Sequence, residues 1–235
     1  MLSFLTLNIE RRKHLDLIKP FLRASLPDVM CFQEIFEDTF EELKTEFQLE
    51  GFFSGRATLK DEAGAEGIAI LSKFPIKNSQ EILYDQFSEL SPEMAKFHLV
   101  RPIAKVLAAE IEKDNETFHI ATTHFTWSNH GETTEEQRVN VQALLRVTSP
   151  FRELILAGDF NAPRGKEIYA TLSEHFQDNI PPFVETTIDG ERHRAGQLQL
   201  MVDGVFSRGY AVSNVEVRSG LSDHCGITAT IEKTA

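Results

Sequence analysis

Cysteine is scarce in this sequence: Cys31 and Cys225 are the only two among 235 residues. Each lies in an apolar stretch and no metal-type spacing links them, so the expectation is two buried free thiols. No run reaches the roughly 18 apolar residues that a membrane-spanning helix needs. Internal repeats, low-complexity tracts and Pro- or Gly-rich linkers are also missing, so one domain over 1–235 is expected. The opening stretch Met1–Asn8 lacks a basic n-region and a small-residue cleavage site. It reads as a strand rather than a signal peptide, and a cytoplasmic location is the expectation. Positive charge is short as well, with 24 Lys and Arg against 36 Asp and Glu and a net charge of −12. That argues against broad electrostatic capture of nucleic acid, which draws its energy from Lys and Arg on phosphates. It leaves room for a metal and a few local cations to hold one phosphate.

Hydrophobic residues make up 41% and charged residues 26%, enough for a sizeable core. Alternation and β-branched content predict strands over Leu2–Asn8, Val29–Glu34, Gly67–Leu71, Pro102–Ile111 and Thr117–His124. Further strands are predicted over Leu154–Asp159, Val202–Ser207, Val212–Val217 and Ile227–Ile231. Helical pattern runs over His14–Arg23, Asp38–Phe47, Thr133–Val147 and Lys166–Glu174, with Thr133 or Thr134 as the N-cap of the third. Strands outnumber helices, which predicts a layered α/β fold with mixed sheets. The stretches 85–93 and 180–197 read as long loops, and loops of that length are often functional.

Polar side chains able to bind metal or move protons stand at the ends of the apolar strands. Asn8 ends the first and Glu34 the second. His124 ends His119–His124, and Asp159 and Asn161 end Leu154–Asn161. Asp203 lies in Leu200–Phe206, and Asp223 and His224 come just before the last strand. Strands of stacked sheets end along a common edge, so these groups are expected to converge on one cleft. Glu34 follows the apolar run Val29–Phe32, where a carboxylate is costly to desolvate unless it is paired or metal-bound. Oxygen donors suit magnesium, and no His/Cys set has zinc spacing. Asp159 is two residues from Asn161, so a carboxylate that activates water stands beside an amide that donates to phosphate; an Asx turn explains the same spacing. Asp223 and His224 are adjacent and on an extended chain point to opposite sides. Arg101 is a candidate for a phosphate oxygen pair, or for a surface ion pair. Glu66 is a candidate for orienting His124.

In sequence order, Thr6-Leu7-Asn8, Phe32-Gln33-Glu34, Gly67–Ser72, Thr123-His124-Phe125, Gly158-Asp159-Phe160-Asn161, Val202–Phe206 and Ser222-Asp223-His224 resemble the endonuclease/exonuclease/phosphatase superfamily. The likeness runs from residue 2 to about 231. It implies a four-layer αββα sandwich, two mixed sheets face to face with helices outside. It implies a magnesium site, manganese being able to substitute, at Glu34, Asn8 and Asp223. Asp203 resembles the carboxylate that orients the catalytic His224, and Asp159 with Asn161 the water-activating and phosphate-binding pair. His124 resembles the second histidine of the deoxyribonuclease, sphingomyelinase and tyrosyl-DNA phosphodiesterase-like branches. Glu66 and Arg101 resemble the carboxylate behind that histidine and a phosphate-contacting arginine. The Tyr-x-Pro-Asn signature of the abasic-site endonucleases is absent, with Thr-His-Phe in its place. The longer lipid-phosphatase signatures around the last Asp and His are absent too.

The expectation is therefore a magnesium-dependent phosphodiesterase using in-line attack of water, acting on DNA, RNA or a nucleic-acid end. The alternatives are a hydrolase of a lipid headgroup or small metabolite, and a non-catalytic binding module on the same fold. One ion is expected on Asn8, Glu34 and Asp223, and a second on Asp159, Asn161 and His224 is left open. The loops 85–97, 126–134 and 181–199 are expected to set the substrate. Arg192, His193 and Arg194, with Trp127 and His130, are candidates for a nucleic-acid groove or plain loop residues.

Overall fold

Strand β1 (Leu2–Asn8) shows how the layers arise. Leu5 and Leu7 pack with Ile18, Leu22, Phe40 and Leu43, while Leu2 and Phe4 join a second core that holds Val106, Ile120 and Leu156. A strand buried on both faces belongs in the middle of a layered molecule. The computed structural model describes residues 1–85, 87, 89, 90, 92 and 94–234. Of the loop 85–97, positions 86, 88, 91 and 93 lie outside the described residues.

The first six-stranded sheet runs β11 (Tyr210–Arg218), β12 (Gly226–Lys233), β1, β2 (Val29–Phe36), β4 (Ala65–Ser72), β3 (Glu50–Thr58). The second runs β5 (Ile76–Leu83), β6 (Lys105–Lys113), β7 (Glu116–His124), β8 (Leu154–Asp159), β10 (Asp203–Arg208), β9 (Gln177–Asp178). Both are mixed, because β1 pairs with β2 and β7 with β8 in parallel while the other pairs are antiparallel. Helices α1 (Leu15–Ala24) and α2 (Glu37–Glu46) cover the outer face of the first sheet. Helices α3 (Glu135–Thr148) and α4 (Glu167–His175) pack with the strands of the second through Leu144, Ile168 and Leu172. Two mixed sheets flanked by helices are the expected sandwich. Thr134 caps α3, its Oγ1 accepting from Gln137 N at 3.1 Å. No helix among the described residues is long and apolar enough to cross a membrane.

The face of each sheet turned toward the other changes character along its strands. On β1 it reads Leu2, Phe4, Thr6, Asn8, and on β2 Val29, Cys31, Gln33. Gln33 Nε2 donates to Thr6 Oγ1 on the neighbouring strand at 3.2 Å and, across the gap between the sheets, to Thr122 Oγ1 at 2.9 Å. This polar seam separates the apolar core from the strand ends beyond it. Cys31 and Cys225 are both free and buried.

Candidate active site

Beyond the seam, the two sheets bring their strand ends together. Glu34 falls at a break in the β2–β4 register, between Gln33 and Ile35, and has φ 51°. Bulged, left-handed residues are costly outside glycine and concentrate at functional positions. Asn8, opposite Gln33 on β1, donates its amide to Glu34 Oε1 at 3.2 Å and to Asp159 Oδ2 at 3.1 Å. One amide thus ties a carboxylate of the first sheet to one of the second. Its own Oδ1 accepts from Glu10 N at 3.1 Å. Asn8, expected beside Glu34 in the metal site, stands there, and its amide donates to both carboxylates.

On the second sheet, β7 and β8 set His124 beside Asp159 in register. They approach so closely that a Cβ on Gly158, with φ 142°, would stand 2.0 Å from the Thr123 carbonyl oxygen. His124 Nε2 lies 3.5 Å from Asp159 Oδ2 and 4.0 Å from Glu34 Oε1. Asp203 pairs with Asp159 across β8 and β10. Its Oδ2 takes His224 Nδ1 at 2.8 Å, and His224 Nε2 stands 3.8 Å from Asp159 Oδ2. Asn161 closes an Asx turn, its N donating to Asp159 Oδ1 at 2.8 Å while its Nδ2 donates to Phe125 O at 3.1 Å.

Asp223 and His224 point into different groups, His224 toward Asp159 and Asp203 and Asp223 toward Glu10 and His14. Ser222 donates to Asp223 Oδ1 at 3.1 Å and is a turn contact. The stretch is held by the long loop expected over 180–197. Thr187 Oγ1 accepts from Val202 N and Asp203 N at 3.0 Å each, and Cys225 N donates to Thr187 O at 2.7 Å.

Two expectations are corrected. Glu66 makes no hydrogen bond to His124, whose buried Nδ1 has no partner among the described residues; Glu66 instead accepts from Arg11 Nε at 3.2 Å. Arg11 follows the β1 end with φ 69° and also faces Glu34 at 3.8 Å. Arg101 pairs with Asp85 and Glu136 and donates to Glu89 O, so its guanidinium is already surrounded by acceptors. Sequence reading passed over Arg11, Arg56, His98 and Thr187. The signal for Arg11 was its place directly after the Asn8 strand end.

The electrostatics divide the groups by role. Burial and the Asp203 charge push the Asp159 carboxyl up to about 7, against His224 and the Asn161 and Asn8 donors. Burial works against the His224 cation, but Asp203 and Asp159 outweigh it and hold its pKa well above the usual histidine range. Burial, then the cations Arg56, His224, His98 and Arg11, drive His124 well below that range, so it is neutral. Burial, with the Glu34 and Glu10 charges, lifts Asp223 to about 6 against His224. Among the described residues, Glu10, His14 and Asp223 bring ligand atoms within 4.8 Å of one another, as do Asp159, Asp203 and His224. Carboxylates gathered this closely suit a hard divalent cation, whose charge relieves their repulsion. Glu34 stands next to both groups with a side chain 22% exposed to the cleft.

The fold is similar to solved structures, and the sequence matches a family profile. The structure is similar to an endonuclease/exonuclease/phosphatase from Bacteroides vulgatus (TM-score 0.76, 18% identity, 99% of each chain). It is also similar to D. rerio TDP2 complexed with single-strand DNA product (TM-score 0.71, 15% identity, 99% of each chain). A third similar structure is a mannosyl-6-phosphatase from Bacteroides thetaiotaomicron (TM-score 0.74, 13% identity, 99% of this chain and 100% of that one). No curated protein matches the sequence significantly. The profile of the Endonuclease/Exonuclease/phosphatase family matches residues 5–224. Its members are phosphoester hydrolases and generally need a divalent metal. With nearly its whole length matched, this chain belongs to the Endonuclease/Exonuclease/phosphatase family.

Proposed function

We propose that the protein is a magnesium-dependent phosphodiesterase that cleaves phosphate esters by in-line attack of water, with DNA, RNA or a nucleic-acid end as substrate. The observation that carries this is the unbroken set of contacts Glu34–Asn8–Asp159–His224–Asp203, which crosses from one sheet to the other. Glu34 and Asp223, with Glu10 beside them, are the residues that would hold magnesium. Bound there, the ion would supply the positive charge that polarises the phosphate and eases departure of the leaving oxygen.

The chain's own groups do the rest. Asp159, with a pKa near 7, takes a proton from water close to neutral pH and is our choice of base. Asn8 fixes its Oδ2 and the Asn161 backbone fixes its Oδ1, so its direction is set before substrate arrives. Neutral His124 and the remaining Asn161 N–H donate to nonbridging phosphate oxygens. Cationic His224, oriented by Asp203, answers the charge that grows on the phosphoryl group.

The test is hydrolysis of bis-p-nitrophenyl phosphate and p-nitrophenyl phosphate with magnesium and with EDTA, followed by plasmid nicking. Activity that needs magnesium and favours the diester is expected. Asp159→Ala should cost a factor of about 10² or more in kcat. An Asp159→Ala protein that turns over like wild type removes the base assigned here. A wild-type protein inert on both esters removes the enzymatic reading in favour of a binding module. The similarity to a mannosyl-6-phosphatase supports a second reading, a small-metabolite phosphatase, which preference for the monoester would establish.

A further inference from the structure

Arg56 stands out because it is buried and unpaired beside the cleft. It sits where the β3–β4 register breaks between Gly55 and Ala57, so it is the extra residue of a bulge. Bulges re-aim side chains next to active sites. Only 5% of Arg56 is exposed. Its Nε donates to Ile103 O at 3.2 Å, and among the described residues its two terminal nitrogens have neither a hydrogen bond nor an ion pair. The nearby carboxylate, Glu66, gives its hydrogen bond to Arg11 instead. An almost wholly buried guanidinium with no carboxylate hydrogen-bonded to it is costly to keep charged. A fold has little reason to keep one there unless an anion arrives.

The surroundings show where that anion would sit. Burial depresses the Arg56 guanidinium, while Glu66, Tyr84, Glu34 and Asp159 act electrostatically to support its charge. Arg56 in turn is the strongest of the cations acting on His124. Its charge therefore reaches the same groups that surround the proposed scissile phosphate. A segment that carries buried His98 opposite Leu59 lies along β3. That segment is fixed by Leu99 N to Thr58 O at 3.0 Å and Ile103 N to Arg56 O at 3.0 Å. The His98 ring is within electrostatic reach of Glu34, Arg11 and Arg56.

We infer that Arg56 forms an anion subsite at the edge of the catalytic cleft, and that this subsite takes a second negative charge carried by a substrate phosphate. The inference deepens the phosphoesterase reading and rests on it. The second charge has two sources: the extra oxygen charge of a terminal phosphomonoester, or a neighbouring phosphate one ester away. A guanidinium fork fits either through paired N–H donors on phosphate oxygens.

Arg56→Met is the informative variant, because it keeps volume and removes the charge. Its binding of inorganic phosphate, read by calorimetry with magnesium present, should weaken at least tenfold. Its melting temperature should stay level or rise, since an unpaired buried cation has gone. A merely structural arginine gives the reverse: a fall in melting temperature with phosphate affinity kept, and that result overturns the inference. Two substrate pairs separate the sources. Preference for p-nitrophenyl phosphate over the bis-ester reports the terminal charge. Preference for thymidine 5′-p-nitrophenyl phosphate with a 3′-phosphate over the same ester without it reports the neighbouring group. Arg56→Met should erase whichever preference wild type shows. A wild type with neither preference, or a variant that keeps it, defeats the subsite while leaving the hydrolase reading intact. A wild type inert on all four esters defeats the hydrolase reading itself.

Discussion

Asp203 and His224 show how far a single charge can set chemistry. With its Nδ1 on Asp203 and its Nε2 toward Asp159, His224 is held as a cation well above its ordinary range. A group raised in this way stabilises the fold fully below its unfolded pKa, and the contribution is lost as pH rises through its folded value. Activity that needs the cation follows the same direction and fails on the alkaline side. Asp203→Asn lowers the His224 pKa, so the alkaline limb of kcat/KM on bis-p-nitrophenyl phosphate should move to lower pH, with kcat at pH 8 down about tenfold or more. An alkaline limb in the same place as wild type would refute the role given to Asp203. At this scale the sequence was informative about carboxylates and histidines, because Glu34, Asp159 and Asp203 interrupt apolar strands where a charge needs a reason. It was silent on Arg56 and His98, whose neighbours are mixed and loop-like. It also misdirected Glu66, because the partner that takes it, Arg11, lies 55 positions away.

Elements repeat the pattern. The four helices and the inner strands lie within a few residues of the sequence expectations, because their apolar periodicity serves a face that must be buried. The strands that escaped notice, β3, β5 and β9, each lie at the edge of a sheet. An edge strand pairs on one side only, and β5 (Ile76–Leu83) exposes most of its side chains, so little in its composition marks it. The predicted start at Pro102 was early for a related reason, since residues 99–103 run along β3 before the chain joins its own sheet. The tightest joint among the elements is the parallel pair β7–β8 at Gly158. Gly158→Ala drives a Cβ into the Thr123 carbonyl and asks an alanine to hold φ 142°. A loss of about 3 kcal/mol or more is expected from denaturant melts, with activity falling further than stability because His124 and Asp159 ride on the two strands. A Gly158→Ala protein with wild-type stability would show the joint to be looser than drawn.

For the molecule as a whole, the cleft is a store of charge repulsion. Burial is the main force that raises Glu66 to about 7, Asp159 to about 7 and Asp223 to about 6. Each is raised above its unfolded value, so between about pH 4 and pH 7 the folded chain binds more protons than the unfolded one. Stability of the metal-free protein therefore falls as pH rises across that window, and the His224 contribution is lost in the same direction at higher pH. The free energy of unfolding from urea melts in EDTA should drop from pH 5 to pH 7.5 by on the order of 5 kcal/mol, since each pKa unit is worth about 1.4 and three groups titrate in that window. Magnesium at pH 7.5 should recover much of it, more than at pH 5, where protons compete. A midpoint that is flat in EDTA, or indifferent to magnesium, contradicts this. The chain's net charge of −12 adds to the repulsion, which makes the few cations in the cleft the places where an anionic substrate is admitted.

The amide of Asn8 has a consequence of its own. It is the stitch nearest the reacting groups between two layers that are otherwise joined by the Gln33–Thr122 hydrogen bond, a few more polar contacts and a broad apolar core. A shear of less than an ångström between the layers would part it from Asp159 while every strand kept its ladder. Turnover is then the most sensitive gauge of how squarely the halves of this molecule are seated, and it should fade on warming before circular dichroism records any loss.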